Sequence, residues 1–83
     1  MRYGQTVEWV DKVNSLPCWR CGQVLDVIPA GMSIRDSRAS TGIKYIEGDK
    51  ISVYDRLLAR VSEPHGRIRY FTPRLAKVRR VGG

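Results

Sequence analysis

Residues 51–81 read ISVYDRLLARVSEPHGRIRYFTPRLAKVRRV, and the conformation of this stretch decides the fold of the chain. Between Asp55 and Val61, Leu57, Ala59 and Val61 recur at every second position, with Arg56, Leu58 and Arg60 between them. A period of two marks a half-buried strand, because successive side chains point to opposite faces. A competing helical stripe runs through Tyr54, Leu57, Leu58 and Val61, with Asp49 or Ser52 placed to cap it. The β-branched Ile51, Val53 and Val61 favour the strand. So does Ser62-Glu63-Pro64-His65-Gly66, where proline sets φ and glycine permits a positive φ, so that the chain can reverse. A second alternating arm follows from Arg67 to Thr72, with Ile68 and Tyr70 on one side and Arg67, Arg69 and Phe71 on the other. The two arms are predicted to form a hairpin.

Beyond the hairpin, Pro73 cannot donate to a sheet ladder and should mark a strand end. Arg74-Leu75-Ala76 has the length of one 3₁₀ turn. Val78 and Val81 belong to a brief last strand, and Gly82 and Gly83 are expected to fray.

Upstream, Gln5 to Val13 reads as a first strand with a bend near Val10. Asn14-Ser15-Leu16-Pro17 has the composition of a loop. Gln23 to Ile28 reads as a second strand. Gly22 at its start suggests a close backbone approach or a bulge, and the three-residue spacing of Val24 and Val27 suggests a kink. Residues 33–48 are polar and irregular, with Ile43, Tyr45 and Ile46 able to make a short strand. A loop of this length tends to be functional or mobile. The expected core is Val7, Val24, Val27, Leu57, Val61, Ile68 and Tyr70.

These elements outline a mainly β chain: a small five-stranded barrel with a long irregular loop and a 3₁₀ turn before the last strand. The layout GQTVEWV, WRCGQVLDV and RIRYFTPRLAKV resembles SH3-like barrels, including those with a KOW-type G-x-V strand, here Gly22-Gln23-Val24. Members of that superfamily bind RNA, DNA or peptides, so the resemblance implies a fold and leaves function open. The Ser62–Gly66 connection and the arm after it are also similar to the end of the plasmid-borne type II dihydrofolate reductases, SH3-like barrels that assemble as tetramers around one pore. Where those carry a Val-Gln-Ile-Tyr pore segment, this chain has Ile68-Arg69-Tyr70-Phe71, so the likeness does not extend to reductase activity.

The 83 residues fit one small domain with a thin core. No apolar run approaches the ~20 residues that span a bilayer, and Met-Arg-Tyr-Gly-Gln lacks a signal-peptide block, so a cytoplasmic location is expected. The net charge is +7, of which +6 falls from Asp49 onward. A basic half on a small domain suggests a polyanionic partner, and arginine, which dominates it, matches phosphate with two parallel hydrogen bonds.

Cys18-x-x-Cys21 is half of a zinc knuckle. A structural zinc needs four ligands, and only His65, or a carboxylate such as Asp26, remains to add. The pair is therefore read as two reduced thiols on a β-turn, with no metal and no cofactor. His65 has no nucleophile or partner to make it catalytic, and the chain is read as a non-enzyme.

The leading expectation is a nucleic-acid-binding module. In it Arg56, Arg60, Arg67 and Arg69 line the outer face of the hairpin, Phe71 is exposed among them as a stacking platform, and Arg74, Lys77, Arg79 and Arg80 extend the patch. The alternative is a protein-interaction module or inhibitor, of the kind made by phages or mobile elements, docking on an acidic protein surface. A structural subunit of a phage particle is a third reading.

Overall fold

The hairpin predicted from residues 51–81 forms the spine of the molecule. A computed structural model describes residues 1–81; the expectation for Gly82 and Gly83 lies outside the described residues. Five strands, β1 (Thr6–Val13), β2 (Leu16–Ile28), β3 (Arg56–Ser62), β4 (Ile68–Phe71) and β5 (Arg79–Arg80), make one antiparallel sheet in the order β4-β3-β2-β1-β5. The chain is mainly β, and the helical elements among the described residues are short 3₁₀ turns. No helix is long and apolar enough to cross a membrane.

The helical stripe through Tyr54 and Leu57 loses because β3 is an inner strand, paired on both edges and buried on both faces. Leu57 and Ala59 enter one core with Val7, Trp9, Val24, Val61 and Phe71. Leu58, one residue from each, enters a second core with Ile28, Ile34 and Ile46. A helix cannot present adjacent leucines to two opposite layers; a strand does so by its pleat. β3 and β4 are joined by the 3₁₀ turn Pro64–Gly66, in which His65 (φ 72°) and Gly66 (φ 78°) are both left-handed. The Glu63 amide closes the hairpin by donating to the Arg67 carbonyl at 2.7 Å.

β1 and β2 turn back at Asn14-Ser15, with φ of 52° and 65° and Val13 directly opposite Leu16. Two consecutive left-handed residues match the twist of the strands they join, and asparagine tolerates the first position. The sequence suggests a four-residue loop here and a β-turn at Cys18–Cys21. Both are corrected: Leu16, Pro17, Cys18 and Cys21 lie within β2, paired to β1. The expected bend at Val10 is absent, since β1 pairs continuously from Thr6 to Val13. The kink falls in β2 instead, where the ladder with β3 shifts between Val24 and Asp26. That is the place the Val24–Val27 spacing indicates.

The long connection between β2 and β3 is packed. Two 3₁₀ turns, Ile34–Asp36 and Arg38–Ser40, are capped by the Ser33 and Ser37 side chains. Buried Ser37 also donates its hydroxyl to Asp26 on β2. No strand forms at residues 43–46; Ile46 instead joins Ile34 over Leu58. The connection after β4 is tied to the start of β3: the Leu57 amide donates to the Pro73 carbonyl, the Leu75 amide to the Asp55 carbonyl, and Arg56 bridges Arg74. The 3₁₀ turn Leu75–Lys77 then leads into β5, as the sequence indicates.

β4 buries Phe71 and exposes Ile68, the reverse of what is expected for these two, while Tyr70 packs inward as expected, on the second core. Phe71 stands opposite Ala59 and is 6% exposed, whereas Ile68 is 41% exposed at the hairpin end.

Candidate nucleic-acid interface

The burial of Phe71 changes the site. Phe71 is in the main core, its ring centroid 6.1 Å from that of Trp9, so it offers no stacking platform. Arginines do gather on it, but from above. The guanidinium carbons of Arg20 and Arg69 lie 4.4 and 4.9 Å from the Phe71 centroid. Each cap is held by carboxylates: Arg20 by Asp11 at 2.9 Å, Arg69 by Glu47 at 2.7 Å and Glu63 at 3.4 Å. The Glu47 hydrogen bond raises the Arg69 pKa above its ordinary value; burial opposes it, and the Glu63 and Glu47 charges add to the rise.

These groups floor an open cleft of about 570 Å³ between the β1–β2 ribbon and the segment after β4. Lys12, Arg74 and Lys77 also line it. The cleft carboxylates Asp11 and Glu47 are committed to Arg20 and Arg69, while Lys12, Arg74 and Lys77 have no carboxylate partner among the described residues. The cleft therefore has three uncompensated cations at its rim: Arg74 and Lys77 on the wall after β4, and Lys12 at the edge of β1, on the strand face away from Trp9. Arg74 is partly fixed: its guanidinium carbon sits 3.5 Å from the Tyr54 ring centroid, and its buried Nε has no partner.

The remaining expected site residues are dispersed. Arg56 is 5% exposed; its Nη1 donates to the Gly48 carbonyl at 3.0 Å, and its Nε and Nη2 are unpartnered. It belongs to the interior and not to the hairpin surface. Arg60 pairs with Tyr70 across the ladder and so faces the opposite side of β3 from Val61 and Arg69. Arg67 borders a smaller groove of about 290 Å³ with Lys44 and Tyr45. Arg79 lies beyond β1, ion-paired to Glu8 with its guanidinium carbon 4.5 Å from the Trp19 centroid, and Arg80 is exposed beside it. The expected single patch on the β3–β4 hairpin does not form, because strand parity and burial divide its members.

Lys12, Arg20 and both tryptophans are site residues that the sequence reading misses. A two-residue turn at Asn14-Ser15 is the signal that finds them, because its register sets Asp11 and Arg20 side by side on the face of Trp9, and Lys12 and Trp19 on the other face. His65 is exposed on its turn, and no group of three or more His, Cys, Asp or Glu able to hold a metal occurs among the described residues. Cys18 and Cys21, three apart on β2, point to opposite faces.

Arg56 supplies a direct test of this division. A buried guanidinium with one hydrogen bond contributes little net stability, since desolvation offsets what it gains. Arg56→Met keeps an unbranched chain of similar reach. It is expected to change unfolding free energy by less than ~1 kcal/mol in urea titrations and to leave affinity for polyanions unchanged. A fall in affinity with the fold intact would return Arg56 to the binding surface. No family model, curated protein or solved structure matches the chain.

Proposed function

We propose that this chain is a small basic nucleic-acid-binding module of SH3-like kind that holds phosphates at the rim of the cleft. Lys12, Arg74 and Lys77 make the central contacts, and Arg67 and Arg80 extend them. The observation that carries this reading is the state of the charges: the cleft's acids are neutralised by its own arginines, and three cations are left over. A polyanion gains from such a surface by releasing its condensed counterions, which needs no base recognition. The strand order and the 3₁₀ turn before β5 support the SH3-like assignment. The work of the site is binding and not catalysis.

The test is fluorescence anisotropy with labelled DNA and RNA over a salt series. Three phosphate contacts give a slope of about −2 to −3 for log affinity against log salt, and Lys77→Ala reduces its size by about one. Absence of binding at low salt, or an affinity indifferent to salt, would overturn the proposal. Exposed Val53 and Tyr54, which line a groove with Arg74, favour the second reading, docking on an acidic protein surface. That reading predicts capture of a partner that survives nuclease treatment.

A further inference from the structure

Trp19 is the one tryptophan the core does not use. Trp9 is 4% exposed and packs on Phe71, whereas Trp19 is 57% exposed on the outer face of the β1–β2 ribbon. The register explains the difference. Trp9 shares a face with Val7 and Gly22, which the main core covers, while Trp19 stands opposite Val10 on the other face. Leaving an indole largely in water forgoes most of the burial that makes tryptophan stabilising. Its surroundings are mixed: Val10 stands directly opposite, Pro17 and Cys21 flank it on β2, Glu8, Lys12 and Gln23 share the face by strand parity, and Arg79 lies against the ring, so the charge beside the indole is the distinguishing feature. Glu8 holds the Arg79 guanidinium in place, so indole and guanidinium form a fixed pair.

Backbone pairing by an added strand is not what this ribbon invites. β3 pairs with β2 only from Gln23 onward, and β5 pairs with β1 only at Val7 and Glu8. The edges left open carry Pro17, which cannot donate, and Lys12, a charge; both discourage strand addition. Contact is therefore made by the side-chain face. Protein anchors sit amid apolar neighbours that exclude water. A positively flanked indole instead suits a nucleobase, whose π-face stacks on aromatic rings and on guanidinium planes.

We infer that the Trp19–Arg79 pair stacks an unpaired base, so that the module prefers single-stranded nucleic acid. The inference rests on the phosphate-binding reading and narrows it. Val10 and Lys12 belong both to the cleft wall and to the strand opposite Trp19. A strand whose phosphates lie at the cleft rim thus crosses β1 and sets a base on the indole. A duplex, with its bases already stacked, reaches the same cations but not the ring.

The experiment compares three labelled probes of equal length, a mixed-sequence single-stranded DNA, its blunt duplex and an abasic single strand, against the full chain and its Trp19→Ala and Trp19→Phe variants. Circular dichroism and thermal unfolding check that each variant is folded. The expected result is tighter binding of the base-bearing single strand than of the abasic strand. Trp19→Ala loses about 5- to 150-fold on that single strand alone, and Trp19→Phe recovers most of the loss. Equal affinity for base-bearing and abasic strands, or a Trp19→Ala loss of the same size on all three probes, overturns the stacking inference while phosphate binding stands. No binding of any probe overturns both, and leaves the indole to a protein partner.

Discussion

Phe71→Ala is expected to remove most of the stability of this protein. The ring is in the main core, against Trp9 and opposite Ala59, and it supports the guanidinium groups of Arg20 and Arg69. Truncating a buried phenylalanine to alanine costs about 3–5 kcal/mol, through lost transfer energy and the cavity left behind. A domain of this length has roughly 4–12 kcal/mol in total. Loss of the two cation–π contacts adds to the deficit, by about 0.5–2 kcal/mol each, since the Arg20 and Arg69 side chains are only 14% and 28% exposed. Urea unfolding followed by tryptophan fluorescence would show a midpoint shifted strongly toward zero denaturant, with no transition left if the parent's stability lies at the lower end of its range. Had Phe71 been an exposed stacking residue, the same substitution would fall within about 0.5 kcal/mol of the parent and act only on binding. The measurement therefore decides between the two placements of Phe71, and a change below ~1 kcal/mol would refute the buried one.

Gly22→Ala is the second substitution of large expected effect, and its cause is steric. A Cβ at Gly22 would lie 2.7 Å from the Arg60 carbonyl oxygen and 3.0 Å from Val61 Cγ2. The first of these atoms is backbone in the inner strand β3 and cannot rotate away. β2 would have to move off β3 at the point where their ladder begins, Gln23 opposite Arg60. Overpacking of this kind costs about 1–3 kcal/mol, and the upper half of that range is expected here because the yielding element is a paired strand. For a domain of this size, about 2–3 kcal/mol lowers Tm by roughly 10–20 °C. Gly66→Ala is the control: its φ is positive, but nothing lies within 4 Å of the added atom. That change loses only the left-handed preference, about 1–2 kcal/mol. A smaller Tm drop for Gly22→Ala than for Gly66→Ala would show that β2 and β3 are not held as closely as described.

Gly22 is also legible from the amino-acid sequence alone, as a glycine opening a strand that signals close backbone approach. The same holds for the β3–β4 hairpin, the strand end at Pro73, the 3₁₀ turn before β5 and the kink near Val24. In each case a residue with restricted or unusual backbone preferences carries the information locally. Side-chain phase is not carried in this way. Alternation in β3 implies one buried face, but the long connection covers the second face with Ile34 and Ile46, so Arg56 and Leu58 are buried too. β4 is four residues long, too short for its own pattern to show that Phe71 packs inward as well as Tyr70. Pro17 conceals the first half of β2, because proline is tolerated only where no neighbouring strand needs its donor. The site is obscured by pairing at a distance. Arg79 meets Glu8, and Arg69 meets Glu47, across sequence separations of 71 and 22. Which cations remain free cannot be read from a charge run.

The contact between β1 and β5 also bears on how the molecule is made. Val7 and Glu8 are synthesised well ahead of their partners Arg80 and Arg79, which form the last strand of the sheet to appear. Closing so long a span gives little reward until both strands are present. A nascent chain therefore exposes the flank of β1 while the other four strands assemble, with Lys12 as its charged guard. The finished arrangement is reached only once β5 has emerged from the ribosome.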